Sequence, residues 1–251
     1  MMRKAAKILI WLGLAAWFVV VMAFVTGESE EVLCMRIEVV LQDTVNNRFV
    51  TRTEVRSLVE ASGLEIRGYP LSQINTRNLE YLLEENPYIG NAEVSKDVSG
   101  RLEVKVEQRQ ALVRILPDGS RGYYIDTEGK MLPLSDHFTP LIMLATGKLP
   151  VSMKAASSEK HLSELYQFCT YLVDHEFWSD QLVQIYVNSA GEYELIPRVG
   201  AHHILLGSMD QWEKKLRNLE LLYEQGLSRY GWNTYQTINL KYTNQVICTK
   251  R

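Results

Sequence analysis

Residues 89–108 read IGNAEVSKDVSGRLEVKVEQ. Ala92 and Val94 lead to Asp97 and a Ser99-Gly100 turn, after which Leu102, Val104 and Val106 alternate with Glu103, Lys105 and Glu107. Successive side chains of a strand point to opposite faces, so the stretch predicts a hairpin with one apolar and one wet face. The apolar face needs a cover, and the preceding sequence supplies two. Thr51 with Glu54 three residues on forms a capping box, Val55, Leu58 and Val59 share a helical face, and Gly63 supplies a stop. Asn75 caps a second helix, Ile74 and Leu79 are placed as a hydrophobic staple, Leu79, Leu82 and Leu83 face a core, and Pro87 ends it. Upstream, Leu33, Met35, Ile37, Val39 and Leu41 alternate with Cys34, Arg36 and Glu38, which predicts a strand with the first set on one face. Strand, two helices and a hairpin over residues 32–108 make an α+β domain with helices on one side of a small sheet.

From Gln110 onward, strand-like pieces at 112–116, 123–125 and 141–145 are separated by a Pro117-Asp118-Gly119 turn and a turn at 126–129. A helix is predicted over 159–177, where Leu162, Leu165, Tyr166, Cys169, Leu172 and Val173 recur at helical spacing. Strands follow at 183–187, 193–196 and 204–206. Ser208 and Gln211 read as a capping box for a helix carrying Trp212, Leu216, Leu219, Leu222 and Tyr223, closed by Gly226. Strand-like sequence at 237–240 and 245–248 ends the chain. Residues 109–251 therefore form a second, mostly antiparallel β domain with two added helices.

Residues 8–25 contain no charged side chain, and at about 1.5 Å per residue a helix of that length reaches roughly 27 Å, close to the hydrocarbon thickness of a bilayer. Arg3, Lys4 and Lys7 precede the run and Glu28, Glu30 and Glu31 follow it, so a stub of residues 1–7 stays cytoplasmic and the rest is exported. A cleavable signal is the rival reading, with Val21 and Ala23 as a weak cleavage site, but signal cores are shorter. The net charge of the whole chain is −3, and the exported part is more acidic still, the wrong sign for a nucleic-acid binder. Three widely spaced cysteines, Cys34, Cys169 and Cys248, imply no disulfide framework and read as small buried hydrophobes.

Signatures of catalysis are sparse. His202 and His203 are adjacent on a strand and face opposite ways, so they do not share a metal ion, and no cofactor motif is present. Glu84 and Glu85 close a solvated helix, while Asp126 and Glu128 sit in a turn that selects Asp and Gly for backbone geometry. The chain lacks a nucleophile elbow, a phosphate loop and a dinucleotide fingerprint. Trp178, Trp212, Tyr230 and Trp232 read as core rather than as a ligand surface. A strand at a chain end commonly lies at a sheet edge, where its unpaired backbone groups accept a partner strand. Lys241 to Val246 therefore draw attention, with a gatekeeper role for Lys241 as the alternative.

The order of these parts resembles the bacterial cell-division family FtsQ/DivIB, in the versions found in Bacteroidetes-type bacteria. The resemblance rests on Asn86-Pro87-Tyr88-Ile89 through Val94, Gly100 to Gln108 with Arg109, Tyr124-Ile125-Asp126 with Gly129 and Pro133-Leu134-Ser135, and Ile238-Asn239-Leu240-Lys241-Tyr242. It implies a POTRA domain followed by a β domain. It further implies a non-catalytic divisome scaffold at the septal inner membrane, single-pass with a periplasmic C-terminal part. Such a scaffold binds FtsB-like and FtsL-like partners, helps coordinate septal peptidoglycan synthesis, and uses no cofactor or metal. In that family the last strands pair with a strand of FtsB, and Tyr242 falls on the tyrosine of the family's contact motif. The implied partner-binding residues are Lys241, Tyr242, Asn244 and Val246, with Asn244 expected on the same strand face as Tyr242. The departure lies beyond, where Val246-Ile247-Cys248-Thr249 carries no aromatic residue in place of the family's tryptophan. A POTRA surface around Glu84, Glu85 and Lys96 is a further candidate for an upstream divisome contact. Other readings are a POTRA-containing envelope assembly or transport adaptor, and a membrane-anchored envelope hydrolase.

Overall fold

Two capped helices organise the N-terminal half. Helix α2 (Arg52–Glu60) starts where the Thr51 hydroxyl accepts the Glu54 N–H at 3.2 Å and the Glu54 carboxylate accepts the Thr51 N–H at 2.7 Å. Helix α3 (Thr76–Glu84) starts where the Asn75 side chain accepts the Asn78 N–H at 3.2 Å. Each cap satisfies N–H groups that a helix start leaves without a partner. Their apolar faces, Val55, Val59, Leu79 and Leu83, are buried against a sheet that has, among the described residues, three strands in the order β1-β3-β2. Strands β2 (Ile89–Asp97) and β3 (Arg101–Gln108) form the hairpin, and β1 (Arg36–Gln42) lies parallel to β3. A parallel pair needs a crossover, which the two helices provide.

The computed structural model describes residues 11–22, 32–42, 47–61, 66–151 and 156–251. The chain divides into two compact units, Met1–Gln108 and Arg109–Arg251. The stub 1–7, both ends of the apolar run 8–25, and Gly63 lie outside the described residues. Of the run, residues 11–22 form helix α1. Among the described residues no helix is long and apolar enough to cross a membrane.

The period-two reading of the first strand fails at its start. The N–H groups of Met35 and Arg36 both point to the Gly100 carbonyl, at 2.7 and 3.4 Å, so two residues oppose one as in a β-bulge. The extra residue inverts the alternation. Cys34 joins Ile37 and Val39 in the core, while Leu33 and Met35 turn outward. Gly100, at φ +81°, makes this approach possible, because a Cβ there would lie 2.7 Å from the Leu33 carbonyl oxygen.

The second unit is built on a nine-stranded sheet, among the described residues, of order β12-β11-β10-β9-β8-β7-β4-β5-β6. Its strands are β4 (Ala111–Pro117), β5 (Tyr123–Asp126), β6 (Met131–Leu132), β7 (Met143–Gly147), β8 (Leu182–Val187), β9 (Tyr193–Pro197), β10 (His203–Gly207), β11 (Tyr235–Asn239) and β12 (Ile247–Lys250). The sheet is mixed: β4/β7, β7/β8 and β10/β11 are parallel and the other neighbours antiparallel. Helix α4 (Ala156–Asp174) and the short α5 (Trp178–Gln181) carry the chain between β7 and β8. Helix α6 (Trp212–Leu222) does the same between β10 and β11. The helices that interrupt the strands in the sequence are thus the crossovers of parallel pairs.

Both expected ends of α6 are displaced. Ser208 caps nothing; its hydroxyl bonds the Asp210 carboxylate, and Gln211 precedes the helix at φ 50° with no side-chain cap. At the other end the chain passes Gly226 in a π-helical turn (Tyr223–Leu227), forms α7 (Ser228–Tyr230) and stops only at Gly231, φ 92°. Trp178 is fully buried, and Trp212 meets Phe168 and Tyr171 edge-on at 5.2 and 4.9 Å. Tyr230 is exposed, unlike the core position expected of it.

Candidate functional site

Strand β12 closes one end of the large sheet, so among the described residues it has a neighbour, β11, on one side only. The hairpin joining them holds Lys241, Tyr242, Asn244 and Val246. None of these lies on a strand, so the expected shared face of Tyr242 and Asn244 does not exist. The reason is local: the Asn239 side chain accepts the Lys241 N–H at 2.9 Å, an Asx turn that ends β11. The Gln245 N–H then reaches the Tyr242 carbonyl at 3.3 Å.

The tip is held from several directions. Lys241 Nζ donates to both carboxylate oxygens of Glu192, at 2.8 and 2.7 Å. From α6, Lys214 Nζ donates to Asn244 Oδ1 at 2.9 Å and Asn218 Nδ2 to the Thr243 carbonyl at 3.0 Å. The Leu240 N–H bonds the Leu205 carbonyl at 2.8 Å. Lys241 lies over Gly207, where a Cβ would come within 2.9 Å of its Cγ. Just below, the buried ammonium of Lys215 donates to the carbonyls of Leu206 (3.0 Å) and Ser208 (2.7 Å), fixing the end of β10. Burial holds the Lys215 pKa below the ordinary lysine value, with a smaller opposing pull from Asp210. The Glu192 carboxyl is held below its usual range by Lys241 first and by Asn188 second. Tyr242 stands out of this framework 57% exposed, whereas Val246 packs toward the core.

The opposite case is β2, at one end of the small sheet. Two carboxylates of α3 close its outer side: Glu84 accepts the Ala92 N–H at 3.3 Å and Glu80 the Val94 N–H at 2.9 Å. Glu84 and Lys96, two of the residues considered for an upstream contact, are thus engaged within the unit, Lys96 reaching the Ser72 carbonyl at 3.5 Å. Glu85 is exposed.

Residues 110–249, more than half of the chain, match the family described as FtsQ/DivIB, C-terminal related. The chain belongs to that family. Residues 32–107 match the POTRA-like domain. A curated relative, the cell division protein FtsQ of Rhodothermus marinus, is 24% identical over 221 residues, covering 79% of this chain and 76% of the relative. Together these place the chain among cell-division proteins.

Other polar clusters of this FtsQ/DivIB-family chain have structural occupations. Asp126 is buried; one oxygen accepts the N–H groups of Glu128 (2.9 Å) and Lys130 (2.7 Å), and the other meets Arg109 at 3.0 Å. Arg109 also reaches Glu128 at 2.8 Å, so the Tyr124-Ile125-Asp126 stretch and Arg109 form one clasp. His202 is buried against the Tyr223 hydroxyl at 2.8 Å and lies just before β10, not on it, while His203 opens the strand and is exposed, so the two still face apart. Burial pushes the His202 pKa below its ordinary value. Among the described residues no group of His, Cys, Asp and Glu could hold a metal ion. A cleft of about 520 Å³ is lined by residues including Leu112, Leu141, Met143, Leu182 and Arg198, and its lining holds no carboxylate, histidine or cysteine.

Sequence reasoning named the residues of the tip but missed what fixes it. Glu192, Lys214 and Asn218 stand 49, 30 and 25 positions from the residues they hold, beyond any local pattern.

Proposed function

We propose that this protein is a non-catalytic, membrane-anchored scaffold of the divisome. It binds FtsB-like and FtsL-like partners and helps coordinate septal peptidoglycan synthesis. In this reading residues 1–7 are a cytoplasmic stub, 8–25 span the inner membrane once, and a POTRA-like domain (32–108) and a β domain (109–251) lie in the periplasm at the septum. The apolar composition of the run 8–25 and its flanking charges support the anchor. The partner adds a strand to β12 and covers Tyr242, with Lys241, Asn244 and Val246 shaping the approach.

One observation carries the reading: among the described residues β12 is a sheet edge with no neighbour on its outer side, and an exposed tyrosine stands on the braced hairpin at its entrance. Backbone pairing along an edge gives affinity, while a rigid aromatic anchor gives specificity. Ile247, the exposed apolar side chain of β12, takes the outer contact that relatives give to tryptophan. Co-purification of the full chain with its FtsB-like and FtsL-like partners tests this. Wild type should capture them, and Tyr242→Ala should lose about thirtyfold in affinity, as for an aromatic hot spot of ~2 kcal/mol. Its thermal unfolding should match wild type. Equal capture by the variant removes Tyr242 from the site.

A further inference from the structure

Four apolar side chains at the end of the first unit where the chain enters are left outside its core. Leu33, Met35, Tyr69 and Val98 are 45, 77, 43 and 88% exposed. Hydrogen bonds hold them together. The Cys34 N–H donates to the Tyr69 carbonyl and the Gly68 N–H to the Cys34 carbonyl, both at 2.8 Å, which sets the 68–69 turn beside the entering strand. On its other side the Met35 N–H donates to Gly100, in the turn that carries Val98. The bulge at Met35 and Arg36 directs Leu33 and Met35 outward when simple alternation would have buried Met35. A bulge is a device that re-aims side chains, and a cluster of exposed apolar residues marks a contact surface more than scattered ones do.

The position of this cluster says what covers it. Only residues 26–31 separate the apolar run from Val32. At about 3.5 Å per residue that tether reaches ~21 Å at most, less than the roughly 29 Å width of a 75-residue domain. A surface so tethered meets the bilayer at high effective concentration, so even weak partition suffices. Arg36 and Arg67 are exposed at the same end, Arg67 facing Glu60 at 3.8 Å, while Arg101 is paired with Glu38 (3.0 Å) and Asp97 (2.8 Å), which offsets the charge of those two acids. Tyrosine with arginine beside small apolar side chains is the composition that settles at a headgroup interface.

We infer that this end of the first unit rests on the outer surface of the lipid bilayer, with Leu33, Met35, Tyr69 and Val98 in the headgroup region. The inference rests on the anchor reading of residues 8–25. The bulge thereby fixes which end of the unit faces the membrane.

The test uses the full chain in nanodiscs of phosphatidylethanolamine with a minority of phosphatidylglycerol. A nitroxide is placed at Val98→Cys or Met35→Cys in a Cys248→Ser background, Cys34 and Cys169 being buried. A label at Leu141→Cys, fully exposed on the second unit, serves as the reference for a solvated site. The expected result is a severalfold rise in the ratio of oxygen to nickel-chelate collisions at both positions relative to that reference. A ratio equal to the reference overturns the inference. So does shielding from both reagents, which means protein packing such as a second copy. Alkaline carbonate extraction of the cells separates the two levels. A chain released from the membrane fraction overturns the anchor itself, whereas a retained chain with a solvated label overturns only the lipid contact.

Discussion

The two units each end a sheet at the surface, and they treat that edge in opposite ways. In the first, α3 lies close enough to β2 for Glu80 and Glu84 to take the outward N–H groups of Val94 and Ala92. In the second, α6 holds the hairpin before β12, through Lys214 and Asn218, and among the described residues the strand itself has no neighbour beyond it. Edge strands are liabilities that folds cover or blunt. An end position in the sheet order is therefore not enough to make a docking site. Side chains from the adjoining helix decide whether the edge is closed or offered.

The contrast can be broken from either side. The largest effect is expected from Lys215→Ala, which strips the buried carbonyls of Leu206 and Ser208 of their donor and should cost about 2–3 kcal/mol of stability. Chemical denaturation measures this, and an unchanged midpoint would mean that water replaces the ammonium without loss. Next, Glu80→Ala with Glu84→Ala should open β2, at about 1 kcal/mol for each lost hydrogen bond. Faster hydrogen exchange at the Ala92 and Val94 amides is the readout, and unchanged exchange would show the carboxylates to be incidental.

The smallest effect concerns pH. Because the Glu192 pKa is depressed in the folded state, its pairing with Lys241 is fully present above the ordinary value of 4.5 and is lost as pH falls through the lower folded value. The hairpin tip should loosen below that point, visible as broadening of the Tyr242 side-chain resonances in acid and absent in Glu192→Gln.

Much of the first unit was legible because its signals are local. The Thr51–Glu54 box, the Asn75 cap and the alternation through Leu102, Val104 and Val106 involve residues a few positions apart. Met35 defeated the same logic, since a bulge is defined by the partner strand and leaves no periodic trace. In the second unit the strands were readable but their pairing was not. Nothing within β10 or β11 announces a parallel register, although the intervening α6 is what such a register requires. The false capping box at Ser208 has a similar cause, because Lys215 claims the Ser208 carbonyl and Gln211 turns left-handed before the helix begins. At the candidate site, motif likeness singles out Tyr242, and the strand setting expected for it and Asn244 is a hairpin instead. Asn239 ends β11 with its side chain, and the residues that fix the tip come from distant positions.

Hydrogen exchange on the full chain, with and without the proposed FtsB-like partner, tests the open edge most directly. Protection gained across Ile247–Lys250, with none added at Ala92 and Val94, is the expected result. Protection that appears at β2 and leaves β12 unchanged would contradict the assignment of the docking edge.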